Sequence, residues 1–177
     1  NMLAGGASQE IYVLSRTQEN AIRLSREGRE PVVVNGPLRI VVSDAQATVT
    51  IINVAFGNQT FWADSQDRSY RGTVSVTALE TGKLRLVNAL TMEEYLYSVV
   101  PSEMPAKWPL EALKAQAIAA RSEALVKMGR HKKEGFDFCA EVHCQAYGGV
   151  EREHPAASLA VDETRGMIMT CADKPVD

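Results

Sequence analysis

One glutamate in this chain is fenced by two prolines: residues 101–105 read Pro101-Ser102-Glu103-Met104-Pro105. Each pyrrolidine ring restricts the backbone around it, and the stretches on both flanks carry the apolar spacing of helices. Rigid, partly dry surroundings disfavour the charged form of a carboxyl group, which is what a general acid needs near neutrality. The same residues also suit a solvated loop glutamate, because Glu side chains are mostly exposed. Lys114 and Arg121 lie seven positions apart. On a helix that spacing puts them on one stripe, two turns apart, together with Ile118 and Leu125. Two cations so placed grip a polar substrate or stabilise developing charge, or else snorkel with their stems over apolar surface. Glu93 and Glu94 are accounted for by a helix N-terminus.

A second cluster follows. Cys139, His143 and Cys144, with His131 upstream, offer up to four soft or borderline ligands within fourteen residues. Tetrahedral zinc accepts such donors, and a structural site would pin the loop after the preceding helix. The C-x4-C spacing is looser than the common C-x2-C knuckle, and a small disulfide or two unpaired thiols fit it as well. A third cysteine, Cys171, stands alone, so a complete disulfide framework is excluded. Ser102 and Ser122 lie outside any G-x-S-x-G elbow, and nucleophilic serine chemistry is set aside.

The elements that must position these groups change character near residue 91. Residues 32–34, 39–42, 48–54, 73–79 and 84–87 are short Val/Ile/Thr-rich runs. Turn residues punctuate them, including Asn35-Gly36-Pro37, Gly57-Asn58 and Thr81-Gly82. Val74 with Val76, and Leu84 with Leu86, alternate with polar residues as half-buried strands do. This predicts a β-rich half of five or six strands, with residues 16–27 open between a short helix and an irregular strand. From Thr91 the period is helical. Thr91 and Glu94 form a capping box, and Met92, Tyr95, Leu96, Val99 and Val100 make one apolar stripe, with Pro101 expected to stop the helix. A second helix is expected from Pro109 to about Lys127, with alanines along one side that let another backbone approach closely. Residues 131–135 read as a loop and residues 155–164 as a third, shorter helix. The fold class is α+β: a β-rich N-terminal half followed by helices packed on it.

Composition bounds the rest. The chain has 177 residues, 45% of them hydrophobic and 23% charged, enough for a packed core rather than disorder. Lys and Arg number 19 against 22 Asp and Glu, and no run of five or six like charges occurs. That argues against a partner such as nucleic acid, which is bound through a basic face. No apolar run approaches a membrane span, and the start of the chain lacks the charged and apolar regions of a signal peptide. The expectation is a soluble chain, cytosolic or already processed.

Several stretches together resemble the SpoIID/LytB domain, the family of stage II sporulation protein D. They are Tyr70-Arg71-Gly72-Thr73, Leu86-Val87-Asn88-Ala89-Leu90, Glu93-Glu94-Tyr95-Leu96 and Val99-Val100-Pro101-Ser102-Glu103-Met104-Pro105. Residues 108–121, from Trp108 through Lys114-Ala115-Gln116-Ala117-Ile118-Ala119-Ala120-Arg121, and His143-Cys144-Gln145-Ala146-Tyr147 complete the set. The likeness covers about residues 35–170, so residues 1–34 are expected to be an N-terminal extension or first strands and residues 35–177 the family domain. Family domains normally continue beyond the segment like Thr164 to Met169 into a strand and a Ser/Gly-rich loop. A chain ending at Asp177 is therefore expected to be C-terminally incomplete or shortened.

The resemblance implies a bacterial cell-envelope protein, outside the cytoplasm, acting on peptidoglycan glycan strands. It implies a lytic transglycosylase that cleaves denuded strands between N-acetylmuramic acid and N-acetylglucosamine, leaving a 1,6-anhydro end. The family's acid falls on Glu103 and its supporting cations on Lys114 and Arg121, with Ser102, Gln116 and Tyr147 expected along the substrate. Some family members hold zinc through a His and two Cys. Here those would be Cys139, Cys144 and either His131 or His143. The alternatives are a non-catalytic wall-binding module that enhances an amidase, in contact with that amidase or other envelope proteins, and a zinc or thiol domain without catalysis.

Overall fold

The computed structural model describes residues 2–5, 10–42, 44, 47–56 and 64–176. The chain divides into two compact units, 1–90 and 91–177, and the architecture is mixed α+β. In the first unit, β1 (Met2–Gly5), β2 (Glu10–Arg16), β3 (Ile22–Arg26), β4 (Arg29–Val34), β6 (Val49–Phe56) and β7 (Asp64–Tyr70) form an antiparallel sheet of order β4-β3-β2-β1-β6-β7. A smaller sheet of order β5-β8-β9 contains β5 (Leu38–Val41), β8 (Thr73–Ala78) and β9 (Leu84–Ala89). One core joins the two: Leu14 and Ile22, with Val49 and Ile51, pack with Val74 and Val76 of β8. The period-2 pattern of β8 is the reason, since it sends both valines to one face.

The undecided stretch 16–27 holds strand β3, entered by a turn in which the Thr17 N–H donates to the Ala21 carbonyl at 2.8 Å and the Ala21 N–H donates to Thr17 Oγ1 at 3.0 Å. Residues 1–34 supply four strands of the larger sheet. The expected Gly57-Asn58 turn lies outside the described residues. Strand β7 gave no sign of itself in the sequence, because Asp64, Ser65, Asp67 and Ser69 break any apolar alternation. It closes one edge of the larger sheet, where a polar strand discourages further pairing. Gly72, between β7 and β8, has φ +70°, and a Cβ there would meet the Ala89 carbonyl oxygen at 2.3 Å. Only glycine satisfies both conditions.

The second unit contains α1 (Met92–Glu103), α2 (Leu110–Lys127), two single 3-10 turns (Lys132–Glu134 and Val150–Arg152), α3 (Pro155–Glu163) and a short hairpin of β10 (Thr170–Cys171) and β11 (Lys174–Pro175). Leu96, Val99 and Val100 of α1, Leu113, Ala117 and Ala120 of α2, and Ala157, Ala160 and Val161 of α3 form its core. Alanines on the two facing helices allow the close approach that their spacing predicts.

The helix boundaries need one correction. Pro101 does not stop α1; it sits inside the last turn. It forfeits one helical N–H, yet the chain continues because the Met104 N–H still donates to the Val100 carbonyl at 3.0 Å. The Ser102 hydroxyl also donates back to the Ser98 carbonyl at 2.7 Å. Glu103 is therefore the last residue of a helix and not part of a loop. Pro109 stands one position ahead of α2, at its N-cap, and residues 132–134 form a 3-10 turn within the expected loop.

The capping box is present as the sequence predicts. The Thr91 N–H donates to Glu94 Oε2 at 2.8 Å, and the Glu94 N–H donates to Thr91 Oγ1 at 3.3 Å. Replacing this cap, Thr91→Ala, is expected to lower stability by about 1 kcal/mol, read as a lower denaturation midpoint at unchanged slope. A midpoint equal to that of the parent would mean that the box does not hold the helix end.

Candidate functional site

Glu103 ends α1 with its side chain exposed. The dry surroundings expected of it are absent, because the helix end projects the carboxylate outward rather than between its flanking helices. What holds its direction is a peptide group 43 residues later: the Ala146 N–H donates to Glu103 Oε1 at 2.9 Å. One turn earlier on α1, Ser98 Oγ, buried, accepts from the Gly148 N–H at 3.1 Å. Two consecutive turns of α1 thus seize one loop.

That loop is held from other directions too. Gln145 is buried, and its Nε2 donates to the Ala120 carbonyl at 3.1 Å and to Glu123 Oε2 at 3.0 Å, both on α2. The Tyr147 N–H donates to the Ala140 carbonyl at 3.1 Å, closing the loop on itself. The Tyr95 ring, projecting from α1, stacks on Phe138 at 5.5 Å and on Tyr147 at 5.4 Å between ring centres. Its hydroxyl is sealed from solvent with no partner among the described residues. Burial pushes that phenol far above its ordinary pKa, and the neighbouring acidic groups of Cys144 and Glu123 add to the shift.

The Cys/His cluster lies in this same loop. The ligand atoms of His131, Cys139, His143 and Cys144 all fall within 4.8 Å of one another. Cys139 Sγ and Cys144 Sγ are each 3.7 Å from His143 Nδ1. Both histidines that the sequence left as alternatives therefore face the two thiols. His131 Nδ1 lies 2.7 Å from Glu134 Oε1, while its Nε2 is buried with no partner among the described residues. A carboxylate on one imidazole nitrogen and an unsatisfied second nitrogen is the arrangement of a metal-ligating histidine. Burial pushes the Cys144 thiol up, and a cation among the four donors would reverse that. The residues present fit a bound metal ion. Cys171, on β10, is exposed.

Lys114 and Arg121 of α2 are engaged elsewhere. Lys114 Nζ bridges Glu111 Oε1 at 2.8 Å and Glu163 Oε2 of α3 at 2.7 Å, and hydrogen bonding to these carboxylates, Glu111 first, raises its pKa. Arg121 is 2% exposed. Its Nη2 donates to Glu93 Oε2 at 2.7 Å, and its Nη1 donates to the Met167 carbonyl at 2.9 Å. Glu93 Oε1 accepts from the Gly166 N–H at 3.3 Å. Ser122 Oγ, also buried, accepts from the Met169 N–H at 2.7 Å. Gln116 is half-buried on α2, and the Ser102 hydroxyl is spent on its own helix.

Three groups of this site were missed by sequence reasoning. Glu93 is not a capping residue but the buried partner of Arg121. The signal was its place at the head of the stripe Glu93, Leu96, Val100, whose other members are fully buried. The Tyr95 stack was hidden because Tyr95 was read as one member of an apolar stripe. The Ala146 amide carries no side-chain signature at all.

A protein-family model described as SpoIID, stage II sporulation protein, matches residues 80–171. Stage II sporulation protein D of Bacillus subtilis (strain 168) is 49% identical over 119 residues, covering 59% of this chain and 34% of that protein. An uncharacterized protein of Brachyspira hyodysenteriae is 42% identical over 92 residues, 51% of this chain and 25% of the relative. The Amidase enhancer of B. subtilis is 39% identical over 74 residues, 42% of this chain and 10% of the relative. The chain thus spans about a third or less of the length of these relatives.

The buried pair yields a test of its own. Arg121→Met leaves an unpaired buried carboxylate and is expected to cost about 3–5 kcal/mol in chemical denaturation. Adding Glu93→Leu is expected to recover most of that loss. A double variant no more stable than Arg121→Met alone would mean that the charge pairing is not the source of the cost.

Proposed function

The chain belongs to the SpoIID family of stage II sporulation proteins, and from that membership we propose that it carries the acid–base centre of a peptidoglycan lytic transglycosylase acting outside the cytoplasm, at the cell envelope. The observation that carries the reading is Glu103: an exposed carboxylate, aimed by the Ala146 N–H, inside the matched segment 80–171. An exposed acid suits a polymer that must lie across the protein rather than enter a closed pocket.

Glu103 protonates the glycosidic oxygen between N-acetylmuramic acid and N-acetylglucosamine. As carboxylate it then takes the proton of the C6 hydroxyl, whose oxygen attacks the anomeric carbon of the same sugar. The bond to the leaving sugar breaks, an internal anhydro bond forms, and no water is consumed. Because the nucleophile is already tethered near the reacting carbon, the second carboxylate that a hydrolase spaces for water or covalent attack is unnecessary. Tyr147 and Gln116, both partly exposed, and Ser102, beside the acid, contact the strand. Trp108, half-exposed in the α1–α2 connection, adds an aromatic face on which a sugar ring stacks. Lys114 and Arg121 support the centre by clamping α2 to α3 and the segment after it.

Zinc is the metal proposed for His131, Cys139, His143 and Cys144, since two thiolates and two imidazoles in tetrahedral reach suit it. With all four positions taken by protein it would serve as a structural cross-link. A second reading is supported by the likeness to the Amidase enhancer: a wall-binding module that acts on an amidase instead of on glycan.

Denuded glycan incubated with the protein is expected to give anhydro-ended fragments by mass spectrometry, and Glu103→Gln to lower their rate by about 10²–10⁴ while leaving the fold intact. Fragments with added water would rule out the transglycosylase mechanism, and wall binding without cleavage would favour the module. Elemental analysis of protein purified without chelator is expected to find one zinc per chain, reduced in Cys144→Ser. Zinc content unchanged by that substitution would remove Cys144 from the ligands.

A further inference from the structure

Between the Cys/His cluster and Glu103 there are only two peptide units. Cys144 offers its thiol to the cluster, Gln145 is buried and bonded to α2 through Ala120 and Glu123, and Ala146 presents its N–H to Glu103 Oε1 at 2.9 Å. Ring stacking fixes both ends of the loop, with Phe138 next to Cys139 and Tyr147 three residues beyond Cys144, both against Tyr95. The backbone from residue 135 to 149 contains no helix or strand. Its internal bonds are few: Cys144 N–H to the Glu141 carbonyl at 3.0 Å and Tyr147 N–H to the Ala140 carbonyl at 3.1 Å among them. Ligation at four points would therefore supply much of its rigidity. On the other side, an exposed glutamate at a helix end samples several rotamers unless a partner selects one.

We propose that the metal-bound loop is the positioning device for Glu103: ligation by His131, Cys139, His143 and Cys144 fixes the Ala146 peptide, and the Ala146 N–H fixes the direction of the carboxylate. Ala146 is thus a positioning residue acting through its main chain, and the cluster tunes the acid without touching substrate. The inference rests on the reading of Glu103 as the acid and of the cluster as a metal site.

The test follows amide hydrogen exchange by NMR on the ¹⁵N-labelled full chain, with zinc content measured in the same samples. Removing zinc by chelation or by Cys139→Ser is expected to speed exchange at Ala146 by at least about tenfold. That factor corresponds to about 1.4 kcal/mol, the scale of one hydrogen bond to a charged group. The Leu113 and Ala117 amides in the core of α2 are expected to stay protected, which separates loss of this contact from loss of the fold. Glu103→Ala is expected to speed exchange at Ala146 equally while zinc is retained. Glu103→Gln keeps an accepting oxygen and is expected to leave it slow. On denuded glycan, Cys139→Ser is expected to lower kcat by about ten- to a hundredfold with KM unchanged.

Exchange at Ala146 that is indifferent to zinc, with α2 still protected, would overturn the proposal. So would a chain that takes up no zinc when it is supplied, which removes the metal reading with it. Zinc-dependent protection of Ala146 in a protein that cleaves no glycan would uphold the coupling and sink the transglycosylase reading, so the two failures are distinguishable.

Discussion

A guanidinium cannot be neutralised inside a protein, so an arginine that is 2% exposed dictates what must surround it. Arg121 is answered by the Glu93 carboxylate of α1 and the Met167 carbonyl of the segment after α3, with the Val161 carbonyl of α3 at 3.4 Å, while its Nε–H finds no partner among the described residues. The three helices and the segment that follows them are therefore answerable to one charge. The second oxygen of Glu93 is used on the Gly166 N–H, so the pair fixes the turn that follows α3 as well as the helices. Apolar packing of Leu96, Leu113 and Val161 supplies the larger favourable free energy, but packing alone tolerates sliding. The ion pair does not, because a shift that separates its members leaves both buried and unpaired.

With the helices so registered, α1 and α2 present two fixed edges to the loop of residues 131–149. Ser98 and Glu103 of α1 receive the Gly148 and Ala146 amides, and Ala120 and Glu123 of α2 receive the Gln145 side chain. An irregular loop must find partners for its backbone groups somewhere, and here side chains on regular elements provide several of them. The exposed acid and the Cys/His cluster become neighbours through this arrangement. Neither helix alone places them together.

Much of this was legible. The capping box at Thr91, the start of α2 after Pro109 and the period-2 burial of Val74 and Val76 are local patterns whose physics is contained in a few consecutive residues. Glu103 stood out because two prolines flanked it, although the inference from proline to loop was wrong: Pro101 gives up its own N–H, but the donors after it still find carbonyls, as the Met104 N–H does at Val100, and the turn is completed. The cluster was visible as residue types, yet the choice between His131 and His143 was not. Bringing His131 to the thiols depends on the 3-10 turn at Lys132–Glu134 and on ring contacts with Phe136 at 4.9 Å and His143 at 5.3 Å. Strand β7 was invisible because an edge strand can be polar. The Ala146 amide was invisible because recognition by main chain leaves no trace in residue type.

If Glu103 is the general acid, as proposed, its exposure changes where the chemistry of that acid must originate. A buried acid carries its desolvation with it, at a standing cost to the fold. An exposed one has only its direction set in advance, by the Ala146 N–H, and the exclusion of water must come with the substrate. On the transglycosylase reading a glycan strand lying over the end of α1 would cover the carboxylate with sugar rings, and the same contact that binds the polymer would dry the acid. Cleavage would then depend on how much strand spans the site, since a short fragment leaves the carboxylate wet. Direction is a property of the protein and dryness a property of the complex, and that division is why a carboxylate so open to water is tied so firmly to a loop.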